Sequence, residues 1–134
     1  MKRLFCLPLV LSFMGMIALV FAHETTGWKT PEDTRKLKNP IKAASASIQK
    51  GKDVYEKHCA RCHGTKGDGK GPESARLNPK ATNFKESHGE RMTDGELFWK
   101  ITTGRGSMPS FEKDLTVEER WHVINYFSAF TKHK

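Results

Sequence analysis

Cysteine is scarce in this chain: 134 residues contain three, and Cys6 falls in an apolar leader. Cys59 and Cys62 remain, too few for a disulfide framework beyond pairing with each other. No second C-x-x-C or H-x-x-x-H pair accompanies them, and a structural zinc site needs four ligands. The βαβ surroundings that a thioredoxin-like C-x-x-C requires are also missing. Acidic residues are outnumbered, 15 against 23 Lys and Arg, for a formal net charge of +8. Such charge suits acidic partner surfaces. The alternation of aromatic and basic residues that marks nucleic-acid binding is absent, so nucleic acid is not expected as a partner. Nor is there a phosphate loop. Gly64 to Lys70 matches G-x-x-x-x-G-K, but Gly71 stands where Ser or Thr is required, and a helix precedes the glycines where a strand should.

The length supports one domain. Met1-Lys2-Arg3 followed by an apolar run from Leu4 to Phe21, closing on Val20-Phe21-Ala22, reads as a signal peptide over 1–22. The run is long for such a segment and near the minimum for a membrane helix, so an uncleaved anchor is the alternative, and the only way a membrane would be involved. Cys6 lacks the small residues that a lipoprotein site needs before it. Either way the remainder is expected to be exported to the periplasm, with a charge of about +6 once Lys2 and Arg3 are lost.

What is present centres on Cys59-Ala60-Arg61-Cys62-His63. This C-x-x-C-H run is the signature of covalent haem c attachment. Two thiols at this spacing can each add across one vinyl group of a haem, and the histidine that follows then lies beneath the iron as its proximal ligand. Gly64 to Pro72 forms a side-chain-poor loop that lets backbone approach a flat ligand, and a carbonyl in it can accept the proton of the His63 nitrogen not bound to iron. A second such loop, Gly104 to Phe111, carries Met108, a soft thioether suited to low-spin iron, stiffened by Pro109. Met92, at a helix start, is the weaker candidate. Arg105 is placed to neutralise a haem propionate or to stay solvated.

Helices frame these loops. One, capped by Ser45 or Ser47, runs through Ile48, Gly51 and Tyr55 to Cys59; the glycine inside it hints that another backbone passes close. Capping boxes at Thr93–Glu96 and Thr116–Glu119 open two more. Gly104 ends the first, and the second buries Val117, Trp121, Ile124 and Phe127 on one face. His122 and His133 fall off that face and are expected in solvent; His58 and His88 are weak ligands beside Met108. Residues 23–46 form a polar arm with Pro31 and Pro40 and no periodicity, in which Trp28 and Leu37 are the large apolar residues. His23, as a new N-terminus, is solvated rather than a copper ligand.

A helix ending in C-x-x-C-H, a Gly/Pro loop, a short middle helix, a Gly-x-Met-Pro loop and an aromatic last helix together resemble the class I c-type cytochromes. The resemblance runs from about Ser47 to Phe130 and most suits bacterial single-haem domains. It implies an all-α fold of three to four helices around one covalent haem, in a domain spanning 47–134. It also implies that Gly51 and Tyr55 cross Val123 and Tyr126, that Pro72 supplies the carbonyl for His63, and that Met108 is the distal ligand. The function implied is electron transfer by a monomer with His/Met-ligated iron, without catalysis. The alternatives are an electron-entry subunit of a larger oxidoreductase, or a haem enzyme or sensor in which Met108 is displaced.

Overall fold

The computed structural model describes residues 27–86 and 92–131, the side chains of 129–131 excepted. The leader, His23, His88 and His133 lie outside the described residues. Among the described residues four α-helices follow in order: α1 (Ser45–His58), α2 (Ala60–His63), α3 (Asp94–Thr103) and α4 (Val117–Thr131). Among the described residues there is no strand beyond an isolated bridge between Arg105 and Met108, so the expected all-α fold is met. None of the described helices is long and apolar enough to cross a membrane.

The central packing is α1 across α4. A Cβ added to Gly51 would overlap the His122 carbonyl and lie 2.9 Å from Cβ of Tyr126, so only a glycine allows this approach. Tyr55 and Tyr126 meet one turn on, ring centroids 5.4 Å apart. The close approach also overturns two expectations. Neither Ser45 nor Ser47 caps α1: the N-cap is Ala44, with no side-chain bond. Ser47 points inward, where it accepts from Asn125 Nδ2 at 2.8 Å and lies 2.8 Å from His122 Nδ1. His122 is accordingly buried instead of solvated, because the crossing presses its part of α4 against α1. Replacing Gly51 by valine is expected to cost about 3 kcal/mol by overpacking and to lower the melting temperature of the holoprotein by roughly 10–20 °C. A thermal melt checks this.

Both capping boxes form. Thr93 Oγ1 accepts from the Glu96 N–H while the Glu96 carboxylate accepts from the Thr93 N–H, and Thr116 and Glu119 repeat the arrangement. Gly104 closes α3 with φ 64°. The single stripe expected on α4 is broader than predicted: Val117 is 55% exposed, whereas Trp121, Val123 and Ile124 are all buried, because α4 packs against both α1 and α3.

The arm, expected to be irregular, contains a 3-10 turn, Glu32–Lys36, and packs along α3 and α4. Asn39 Nδ2 donates to the Trp121 carbonyl (3.1 Å) and to Asn125 Oδ1 (3.0 Å), and Asn125 Nδ2 donates to the Ile41 carbonyl. Arg35 Nε (3.0 Å) and Thr30 Oγ1 (3.2 Å) both donate to Glu96 Oε1, whose other oxygen caps α3. The Thr93 backbone N–H, aided by the hydroxyls and Arg35, holds the Glu96 carboxyl below its ordinary value of 4.5 against an opposing effect of burial. A depressed carboxyl stabilises the fold above its unfolded pKa, and that contribution is lost as pH falls through the folded value. Acidification below about 4.5 is therefore expected to destabilise the wild type more than Glu96→Gln, as read from melts across pH.

Candidate functional site

A cleft of about 480 Å³ opens between the two halves of the core. Its walls come from α1, α2, the 77–84 loop, α3, the 105–109 loop and α4, and they are mainly apolar. Cys59, Cys62, His63, Arg105 and Met108 all line it, so the folded chain brings together residues that lie up to 49 positions apart in sequence. Pro72 does not line it.

Cys59 is the hinge between α1 and α2, its N–H donating to the Tyr55 carbonyl at 2.8 Å. Tyr55 in turn donates its hydroxyl to the Gly64 carbonyl (2.8 Å), which locks the turn that carries both cysteines and His63 onto α1. Burial, with a smaller contribution from Cys62, pushes the Cys59 thiol up to about 12, so it is a neutral thiol at neutral pH. Cys62, half-buried like Cys59, has its Sγ 3.9 Å from Glu73 Oε2.

His63 is partly enclosed, its ring stacked on Phe84 with centroids 4.7 Å apart and planes at 18°. Burial lowers its pKa, which favours the neutral ring. Nδ1 lies 3.2 Å from the Thr82 carbonyl, which can only accept. The single ring proton of the neutral form therefore resides on Nδ1, and Nε2 keeps the lone pair that a metal would take. The carbonyl facing His63 is thus that of Thr82, not of Pro72. The Gly71–Pro72 turn is held elsewhere: Gly71 N–H donates to the Cys62 carbonyl (3.1 Å), and Gly71 lies so near the Ala60 and Arg61 carbonyls that no side chain would fit. Thr82 was not legible beforehand, because a backbone acceptor leaves no residue-type signal.

Met108 is half-buried on a tight turn. Arg105 and Met108 exchange backbone hydrogen bonds of 2.8 and 3.0 Å, with Gly106 and Ser107 at the tip. The turn is tied to the end of α3 through Phe111 N–H to the Ile101 carbonyl (3.1 Å) and Ser110 Oγ to the Thr102 carbonyl (2.6 Å). Arg105 is exposed at the mouth. Trp28, Met92 and Lys100 also line the cleft, a wall that no sequence motif announced.

The donors on the cleft wall are the imidazoles of His63 and His58, the latter edge-on to Phe111, and the sulfurs of Cys59, Cys62, Met92 and Met108, without a cluster of three or more His, Cys, Asp or Glu among the described residues that would hold a bare metal ion. Apolar walls, two adjacent thiols and a histidine with its Nε2 lone pair available fit a flat, largely apolar macrocycle carrying its own metal.

Fold and site together define a class I c-type cytochrome. The chain belongs to the family described as cytochrome c oxidase, cbb3-type, subunit III, which matches residues 46–127. Among solved structures it is similar to a chain of a reducing HAO-like protein complex from Kuenenia stuttgartiensis. The TM-score is 0.60 and the identity 28%, over 68% of this chain and 46% of that one, so this chain spans less than half of its length. It is also similar to cytochrome cL from the marine methylotrophic bacterium Methylophaga aminisulfidivorans, with TM-score 0.48 and 22% identity, over 75% and 69% of the two chains. No curated protein matches.

Proposed function

We propose that this chain carries one haem c, attached through Cys59 and Cys62 and ligated by His63 and Met108, and that it passes single electrons between partner proteins without catalysing a reaction of its own. The observation that supports this most directly is the shared apolar cleft, lined by all four side chains, in which the Thr82 carbonyl orients His63 with Nε2 available. Bound there, haem supplies a one-electron ferric/ferrous couple. His63 and Met108 would hold its iron, the apolar walls would keep water from it, and Arg105, exposed at the edge of the cleft, would meet a carboxylate of the group. If His63 and Met108 both hold the iron, a substrate would have no place on it, which disfavours the enzyme or sensor reading.

The domain that does this spans 47–134, behind an arm over 23–46 and a signal peptide over 1–22 that is removed on export to the periplasm. The mature protein meets acidic docking surfaces on its partners through its positive charge. A bound role, as the electron-entry subunit of a larger oxidoreductase, is favoured over a free carrier by two observations. The family is that of an oxidase subunit, and the Kuenenia stuttgartiensis neighbour belongs to a protein complex.

The test is the visible spectrum of protein expressed with a haem c maturation system, oxidised and reduced. Covalent haem together with the weak far-red band of a sulfur–iron bond is the expected result. Covalent haem without that band would remove Met108 and return the open-site reading, and a colourless chain would overturn the proposal.

A further inference from the structure

We infer that the N-terminal arm is a wall of the cofactor cleft and that Trp28 is a positioning residue of that wall, covering one edge of the bound group and holding Lys100 beside it. The inference rests on the haem reading and deepens it. Residues 27–44 lie outside the 46–127 match, so the arm is not part of the matched family domain, whereas Met92 and Lys100 are.

A polar arm need not contribute to a ligand cleft, yet its one tryptophan does. The Trp28 ring meets Trp99 of α3 edge-on, centroids 6.2 Å apart at 65°. Lys100 Nζ stands 5.6 Å from the Trp28 ring centroid and donates to Met92 Sδ at 2.9 Å. An ammonium held over the negative face of an indole is attracted by it. Trp28, Met92 and Lys100 thus form one patch, and all three line the cleft. The patch places a further cation at the border of a mainly apolar cavity that Arg61, Lys80 and Arg105 also line, where a carboxylate of the bound group can be met.

The rest of the arm fixes Trp28 there. Thr30 and Arg35 share Glu96 Oε1, and Glu96 is itself immobilised by capping α3 through Oε2. Thr34 is buried against Gly95, where the Thr34 carbonyl leaves no room for a Cβ. Asn39 is bonded to α4 at Trp121 and Asn125. Three separate anchors behind one aromatic are more than a tether needs, and their common effect is to keep the indole on the cleft wall. With the wall closed, water is kept from that edge, and the ferric form, which carries the extra positive charge, loses solvation relative to the ferrous form. Opening the wall should therefore lower the reduction potential.

The experiment uses the mature holoprotein with Trp28→Ala, Trp28→Phe and Arg35→Ala variants. It reads the midpoint potential and the rate of tryptic cleavage in the arm, where Lys29 and Lys36 remain in all three. Trp28→Ala is expected to keep covalent haem and the far-red band but to shift the potential downward, and Trp28→Phe to restore most of that shift. Arg35→Ala should speed arm cleavage by on the order of tenfold, because cleavage follows the open population, and shift the potential in the same direction. A loss of thermal stability alone, with the potential of Trp28→Ala and of Arg35→Ala at the wild-type value, would overturn the inference and leave the arm as packing. That outcome differs from failure of the haem reading, in which the wild-type protein itself carries no covalent haem and both proposals fall.

Discussion

Replacing Met108 with alanine is expected to leave covalent haem in place, abolish the far-red sulfur–iron band and lower the reduction potential by on the order of 0.1 V, a fraction of the about 0.8 V over which axial ligands set haem potentials. A thioether favours the ferrous state, so its loss favours the ferric one. The turn that carries Met108 does not depend on its side chain: the Arg105–Met108 bridge and the ties from Ser110 and Phe111 to α3 are made by backbone groups and a serine hydroxyl. The substitution should therefore open one axial position without collapsing the loop, and a small neutral ligand should bind the ferrous variant but not the wild type. An unchanged potential and band would remove Met108 from the ligand role.

Replacing His63 with alanine is expected to do more. Holoprotein yield should fall by more than about tenfold, the low end of what the loss of even an outer-shell partner of a metal ligand costs. His63 also fills space: its ring stacks on Phe84, which meets Phe127 of α4 edge-on at 4.5 Å. Without the imidazole, Phe84 loses the stacking partner that joins the 77–84 loop to α2. Beyond that loss, one buried cluster comprises Val54, Tyr55, Ala60, Phe111, Leu115 and Val123, and a second comprises Leu97, Trp121 and Ile124. A cleft flanked by two small clusters depends on its occupant for much of its apolar contact. Measured haem content per chain, with circular dichroism of the same sample, separates this from a purely chemical defect. A His63→Ala protein with full haem content and native-like spectra would refute it.

The parts of the site legible beforehand were those carried by residue type at fixed spacing. C-x-x-C-H, Gly-x-Met-Pro and the two Thr-x-x-Glu boxes are local, and the structure places each where its local chemistry puts it: Cys59, Cys62 and His63 on one short turn, Met108 on a tight loop, Thr93 and Thr116 at helix starts. Gly51 was also readable, as a glycine whose presence inside a helix needed a neighbour. What failed did so for a common reason. Ser47 has the side chain of a cap but is turned by the crossing toward His122 and Asn125; His122 has the polarity of a surface residue but finds a buried partner; Val117 has the hydrophobicity of a core residue but lies at the exposed start of α4. For Ser47 and His122 an interaction across the fold, unseen by local pattern, outweighed the local preference, and Val117 lies at a helix end that no element covers among the described residues.

By itself, then, the sequence determined the class of the protein, its helices, the pair of thiols, the histidine and the methionine, because covalent spacing and helix capping act over a few residues. Only the tertiary structure decided which carbonyl orients His63, that His122 is a buried link between helices, and that the polar arm is folded back so that Trp28 stands on the cleft wall. Those outcomes depend on backbone groups and on contacts between segments 19 to 86 positions apart. Burial and hydrogen-bond satisfaction across such separations are settled by how the helices pack.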